Sequence, residues 1–195
     1  MMRQIRPNAA TNMLPQRILD QFARIPHNTT IENKYYGVFD KILNKVCFTD
    51  DTFTIEPQYP LPQAVGVPTI DFVVTYVVEV NDLPIFFLEI KLPLHLDHIS
   101  SRVDADAQMR ARFRALYNVT PTPRLHGVSV MEQRLAFYCM DKATGRVDPN
   151  YVAPSTDYMI DTVPAERWDT DITTEDGYQR FVGVINDVKE MAAAL

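Results

Sequence analysis

The residues of this chain best suited to chemistry are Asp71, Glu89 and Lys91. Two carboxylates and an ammonium stand within two apolar runs, residues 69–80 and 85–91, separated by Asn81, Asp82, Leu83 and Pro84. Holding ions in such surroundings costs on the order of several kcal/mol unless they pair with each other or with a metal. Carboxylates a few ångströms apart repel, and a hard divalent cation relieves that repulsion by binding both. Such a cation lowers the pKa of a bound water and stabilises charge developing on a phosphoryl oxygen. A neighbouring lysine orients or deprotonates the water and helps to neutralise the phosphate. The chemistry this grouping suits is phosphodiester hydrolysis. The plain alternative is a surface hairpin end with an ordinary acid–lysine pair.

Both runs read as strands, so side-chain alternation decides whether the three residues meet. A two-residue turn at Asn81-Asp82 pairs Val80 with Leu83 and turns Asp71 away from Lys91. A three-residue loop places all three on one side, with Glu89 opposite Thr75. Asp71 and Glu89 then stand roughly 13 Å apart along the strands. A site at this hairpin therefore requires an odd-length turn or a bulge that re-aims the side chains.

The elements that position the hairpin follow from periodicity. Residues 14–25 suggest a short helix with Ile18, Leu19, Phe22 and Ile25 on one side. Residues 29–47 predict a stronger helix, with Ile31, Tyr35, Val38, Phe39, Ile42, Leu43 and Val46 at helical spacing. Thr29 and Glu32 match a capping box. Residues 52–56 alternate as a first strand, and the prolines of residues 57–68 mark a loop. After the hairpin, residues 98–117 read as a long helix with Ile99, Val103, Phe113, Leu116 and Tyr117 on its buried side. Residues 126–131 and 134–140 look like two further strands. Residues 141–149 are turn-rich, residues 151–171 show no firm period, and residues 174–195 read as a closing helix. The order predicts an α/β or α+β domain with a mixed central sheet flanked by helices. The 195 residues are read as a single domain: an arm at 1–28, a core at 29–140 and an extension at 141–195.

The net charge of −6 provides no overall attraction for nucleic acid, so any contact needs a local basic patch. Residues 91–134 carry seven cations against four acids. Arg102, Arg110 and Arg112 are the candidate substrate contacts there; a solvated helix face with mixed charge is the alternative. Cys47 and Cys139 are too few for a disulfide framework or a zinc site and read as small core residues in a reducing compartment. The N-terminal Met-Met-Arg-Gln-Ile-Arg-Pro lacks the apolar run of a signal peptide, and no apolar stretch is long enough to span a bilayer. The expectation is an intracellular protein, of cytoplasm or nucleus, without a membrane partner. His95 and His98 flank Asp97 just after the lysine, as an exposed turn or as contacts to substrate or metal. Trp168, Tyr151 and Tyr158 read as packing residues.

Asp71 and Glu89-Ile90-Lys91, on adjacent predicted strands after a helix carrying Glu32, resemble the PD-(D/E)XK nuclease superfamily. The order helix, three-stranded meander, helix, strand is similar to the common core of that superfamily over residues 29–140. The resemblance implies a restriction-endonuclease-like core and hydrolysis of DNA or RNA with Mg²⁺ or Mn²⁺. It implies Asp71 and Glu89 as metal ligands, the Ile90 carbonyl completing the shell, and Lys91 as the catalytic lysine. Glu32 matches a further metal ligand found in many members, beside its reading as a capping residue. Gln108 matches a glutamine that some branches carry on the helix after the lysine; its helical angle sets it over the site or in water. Ile70 stands where many members have proline, and Arg112 where some branches have a tyrosine. The other reading of the same resemblance is a catalytically inactive module that binds protein or nucleic acid.

Overall fold

Two of the predicted amphipathic segments fold as helices that lie together on one side of a sheet. In a computed structural model that describes residues 12–26, 33–57, 74–91, 96–157 and 160–195, the first is α1, Gln16–Ala23. The second is α2, Asn33–Ile42, continued by a π-helical turn, Leu43–Cys47. Ile18 and Phe22 of α1 are buried, and the Phe22 ring meets Phe39 of α2 edge-on at 5.8 Å. The π turn closes with Phe48 N–H donating to the Leu43 carbonyl at 2.8 Å and buries both Leu43 and Cys47. Thr29, Ile31 and Glu32 lie outside the described residues.

The strands are β1 (Thr54–Pro57), β2 (Val74–Val80), β3 (Leu83–Lys91), β4 (Arg124–Met131), β5 (Arg134–Asp141), β6 (Val147–Asp148) and β7 (Thr170–Asp171). They form one mixed sheet in the order β1-β2-β3-β4-β5-β6, with β7 also paired to β5. β3 and β4 run parallel and every other pairing is antiparallel. The parallel pair demands a crossover, supplied by α3, Ile99–Leu116. α4, Glu175–Ala192, closes the chain; Thr174 caps it by accepting a 3.1 Å hydrogen bond from Gly177 N–H.

Side chains alternate across the sheet into two cores. One joins Tyr76, Val78, Phe86, Leu88 and Ile90 to α1, α2 and α4 through Ile18, Phe39, Phe181, Ile185 and Val188. The other joins Val77, Phe87, Leu125 and Tyr138 to α3 through Met109, Phe113 and Leu116, with Trp168 beneath. The architecture is thus a mixed α/β fold with a central mixed sheet flanked by helices.

Several expectations require correction. The buried side of α3 holds Phe113 and Leu116 as apolar spacing suggested, but not Ile99 and Val103, which are 47% and 37% exposed; Arg102, Asp106 and Arg112 are buried instead. The helix turns a charged stripe inward because partners for those charges arrive from distant segments. The turn-rich and aperiodic stretches hold β6, β7 and a 3₁₀ turn, Ala165–Trp168, too short to leave a periodic signature. Trp168 is packed as expected, but Tyr151 is 64% exposed, with the Arg110 guanidinium 5.7 Å from its ring; Tyr158 lies outside the described residues. No helix among the described residues is long and apolar enough to cross a membrane.

Candidate active site

The hairpin that carries the acid and the lysine turns through two residues, not three. Asn81 and Asp82 both take positive φ, 52° and 62°, and Val80 pairs with Leu83. Left regular, this turn would split Thr75 from Glu89. A bulge intervenes: Glu79 pairs with Pro84 but Val78 pairs with Phe86, so Ile85 is the extra residue. Beyond it Val77 faces Phe87 and Thr75 faces Glu89. The bulge performs the parity change that an odd loop would have made.

Glu89 and Lys91, two residues apart on β3, share the α3 side of the sheet with Phe87. Both are buried, at 1% and 5% exposure, and Lys91 Nζ stands 3.1 Å from Glu89 Oε1. The contact is charge pairing, not an aligned hydrogen bond; among the described residues Oε1 has no hydrogen-bond donor. The neighbours of Glu89 across the sheet are Thr75 on β2 and Ser129 on β4, both fully buried. From above, Arg112 of α3 donates from Nη2 to Thr75 Oγ1 at 2.8 Å. Ser129 Oγ and, one helical turn before Arg112, Gln108 Oε1 are also buried with no hydrogen-bond partner among the described residues.

Polar atoms left without partners in a core are rare, because each forfeits its hydration. Here three oxygens in that state, a carboxylate, a hydroxyl and an amide, belong to the side of the sheet that also carries Lys91. A hard cation or a water accepts such donors, so Glu89 fits the role of metal ligand. Among the described residues no group of three or more His, Cys, Asp and Glu side chains could hold a metal ion. Asp71 and Glu32, the other expected ligands, lie outside the described residues, as does His95; the Ile90 side chain points into the opposite core. His98 is exposed at the start of α3.

The expected substrate contacts are turned inward. Arg102 donates to the carbonyls of Val163 (Nε, 2.8 Å) and Leu96 (Nη1, 2.6 Å) and pairs with Asp161. Arg110 binds both carboxylate oxygens of Asp106, at 2.7 and 3.1 Å, and the Pro149 carbonyl at 2.7 Å. Asp106 also accepts from Arg167 Nη1 at 2.6 Å and from the Tyr138 hydroxyl at 3.1 Å. Burial, and then the Asp106 charge, push the Tyr138 phenol well above its ordinary range. These arginines knit α3 to residues 149–168. The Asp106–Arg110 spacing of four is a helical pair visible in the sequence; Arg167, 61 residues on, is not. Thr75 stands opposite Glu89, as the register of an odd loop anticipates; Ser129 escaped notice because only the parallel pairing of β3 with β4 brings it there.

Comparison of the chain with family models, with curated proteins and with solved structures gives no match.

Proposed function

We propose that this protein is a divalent-metal-dependent nuclease with a restriction-endonuclease-like core. The observation that carries the reading is the buried Glu89 carboxylate, one oxygen lacking a donor among the described residues, held beside the Lys91 ammonium in the interior of the sheet. The element order gives further support: α2, the β1-β2-β3 meander, α3 and the parallel strand β4.

In this reading Asp71, Glu89, the Ile90 carbonyl and Glu32 would hold Mg²⁺ or Mn²⁺. The bound ion supplies Lewis acidity that makes a coordinated water nucleophilic near neutral pH. The Lys91 ammonium would orient that water by hydrogen bonding and neutralise charge developing on the phosphoryl oxygens. Arg112 fixes Thr75, and with it the strand opposite Glu89. The bulge at Ile85 keeps Glu89 on the α3 side, where an attacking water can be shielded from solvent.

The test is cleavage of supercoiled DNA and of single-stranded RNA with Mg²⁺ or Mn²⁺, together with calorimetric titration of Mn²⁺. Wild-type protein is expected to cut at least one substrate. Lys91→Ala and Glu89→Gln should each lower the rate about 100-fold or more. Glu89→Gln should also weaken the calorimetric signal. A wild-type protein that cuts neither substrate, or a Lys91→Ala variant that cuts equally well, defeats the proposal. Metal-independent binding without cleavage would then favour the non-catalytic module, a reading that the inward-turned Arg102 and Arg110 support.

A further inference from the structure

The outer faces of α1 and α2 form a groove with a charge unlike the rest of the molecule. Arg17 and Arg24 line it from α1, and Lys34, Lys41 and Lys45 from α2 and its π turn; Asp20 is the one acid among the lining residues. The groove therefore carries +4 in a chain of net −6, leaving −10 for everything outside it. All five cations are exposed, and no ion pair among the described residues holds any of them. Five like charges repel one another, and folding is not served by collecting them here.

Their spacing is regular. Arg17 and Arg24 are seven residues apart, as are Lys34 and Lys41, so each helix presents cations about 10 Å apart along its axis. Between them α2 presents Gly37, also in the groove lining. A Cβ added there would meet nothing within 4 Å, so the fold does not require glycine at this position. Glycine weakens a helix interior, and what it offers in exchange is bare backbone that a ligand can approach closely.

We propose that this groove binds the phosphodiester backbone of duplex nucleic acid. Two ranks of cations, without ion-pair partners among the described residues, suit a polyanion of regular charge. Of the apolar residues in the lining, Ile18 and Val38 are buried and Ile25 is half-buried against the core, so the described lining presents no fully exposed aromatic or aliphatic anchor. A membrane surface or a peptide groove needs such an anchor, and a single strand needs aromatic platforms for its bases. The groove lies across the sheet from Glu89 and Lys91, because α1 and α2 pack on the face opposite α3. It is a separate holding surface, and binding there does not depend on cleavage.

The experiment is fluorescence anisotropy of full-length protein with a short labelled DNA duplex of mixed sequence, in chelator so that no cutting intervenes, over a salt series. Wild-type protein should bind, with affinity falling steeply as salt rises. Lys41→Glu should weaken binding roughly tenfold and shallow the salt dependence by about one unit of log–log slope. Arg114→Glu, the same charge change on the exposed side of α3, should do neither. Arg24→Gln serves as a second variant should Lys41→Glu fail to fold, as judged by circular dichroism. Equal effects of the groove variant and Arg114→Glu overturn the proposal, as does absence of duplex binding at low salt. Tighter binding to phosphatidylserine vesicles or to polyglutamate than to duplex overturns it equally.

Discussion

Asp106 is the most heavily engaged side chain described in the protein, and it belongs to a helix face that would ordinarily be apolar. Its carboxylate is nearly enclosed and takes hydrogen bonds from Arg110, Arg167 and Tyr138. A buried ion group of this kind adds little net stability over apolar packing, but removing one member leaves uncompensated charge behind. Asp106→Ala strands two guanidinium groups and should cost about 3–5 kcal/mol. Urea unfolding would register that as a lower midpoint with an unchanged slope. A loss below about 1 kcal/mol would show that the arginines find other partners in water, as exposed pairs do. The same residues explain why Arg102 and Arg110 are poor candidates for holding a substrate: each already satisfies carbonyls and a carboxylate of its own chain.

Among the elements, the β2–β3 hairpin joins local turn chemistry to the candidate site. Asn81 and Asp82 occupy left-handed backbone in a two-residue turn, the geometry for which Asn-Gly is preferred. Beside the turn, the Glu79 carboxyl is pushed up, chiefly by burial and then by the charges of Glu56 and Asp82. Because the folded-state pKa is raised, Glu79 imposes no penalty below its unfolded value near ~4.3. The penalty grows as pH rises through the folded value. Asp82→Gly relieves the turn and removes one of the repelling charges. It should raise stability by a few tenths to about 1 kcal/mol at neutral pH, and by less at about pH 3. A thermal midpoint that rises equally at both pH values would show that the turn alone is responsible. α3 is positioned just as closely: a Cβ at Gly127 would fall 2.4 Å from the Phe87 ring and 2.9 Å from the Met109 methyl. Glycine in the interior of β4 is thus what lets the helix settle onto the sheet above Glu89.

For the whole molecule, the last helix completes the core on the face opposite the candidate site. Phe181, Ile185 and Val188 of α4 are at most 2% exposed, each worth about 1.5–3 kcal/mol in burial. Their sum is comparable to the ~5–15 kcal/mol that stabilises an ordinary domain. A chain ending at residue 173 should therefore lose cooperative unfolding by circular dichroism; a retained sigmoidal transition would show the remainder folds alone. Polar contacts fasten the same helix. Asp187 meets His126 Nε2 and Arg124 Nη2, each at 2.5 Å. Burial alone would raise its carboxyl, but those hydrogen bonds and charges outweigh burial and hold it below the usual value. The stability it contributes is present above the unfolded pKa near ~3.9 and lost as pH falls through the lower folded value. Acid should accordingly loosen α4, and Asp187→Asn should flatten the acid limb of the stability curve.

By itself the amino-acid sequence determined the long elements and the meander. Hydrophobic period decides helix against strand wherever the buried face is apolar, as in α2, β3 and α4. It also located Glu89 and Lys91 on one strand face, since a spacing of two requires that. On α3 it placed Phe113 and Leu116 correctly but misjudged Ile99 and Val103, because periodicity recognises a buried face only by its apolar residues, and this one also carries Arg102, Asp106 and Arg112. Tertiary structure alone decided the register. The sequence called for an odd turn or a bulge; the chain uses a two-residue turn and a bulge at Ile85, a choice made by side chains packing on both sheet faces. Tertiary structure also brought Ser129 to Glu89 and Arg167 to Asp106, across parallel pairing and 61 residues of chain. Contacts between residues that distant carry no local signature, because what stabilises them is the burial they share only once the sheet has formed.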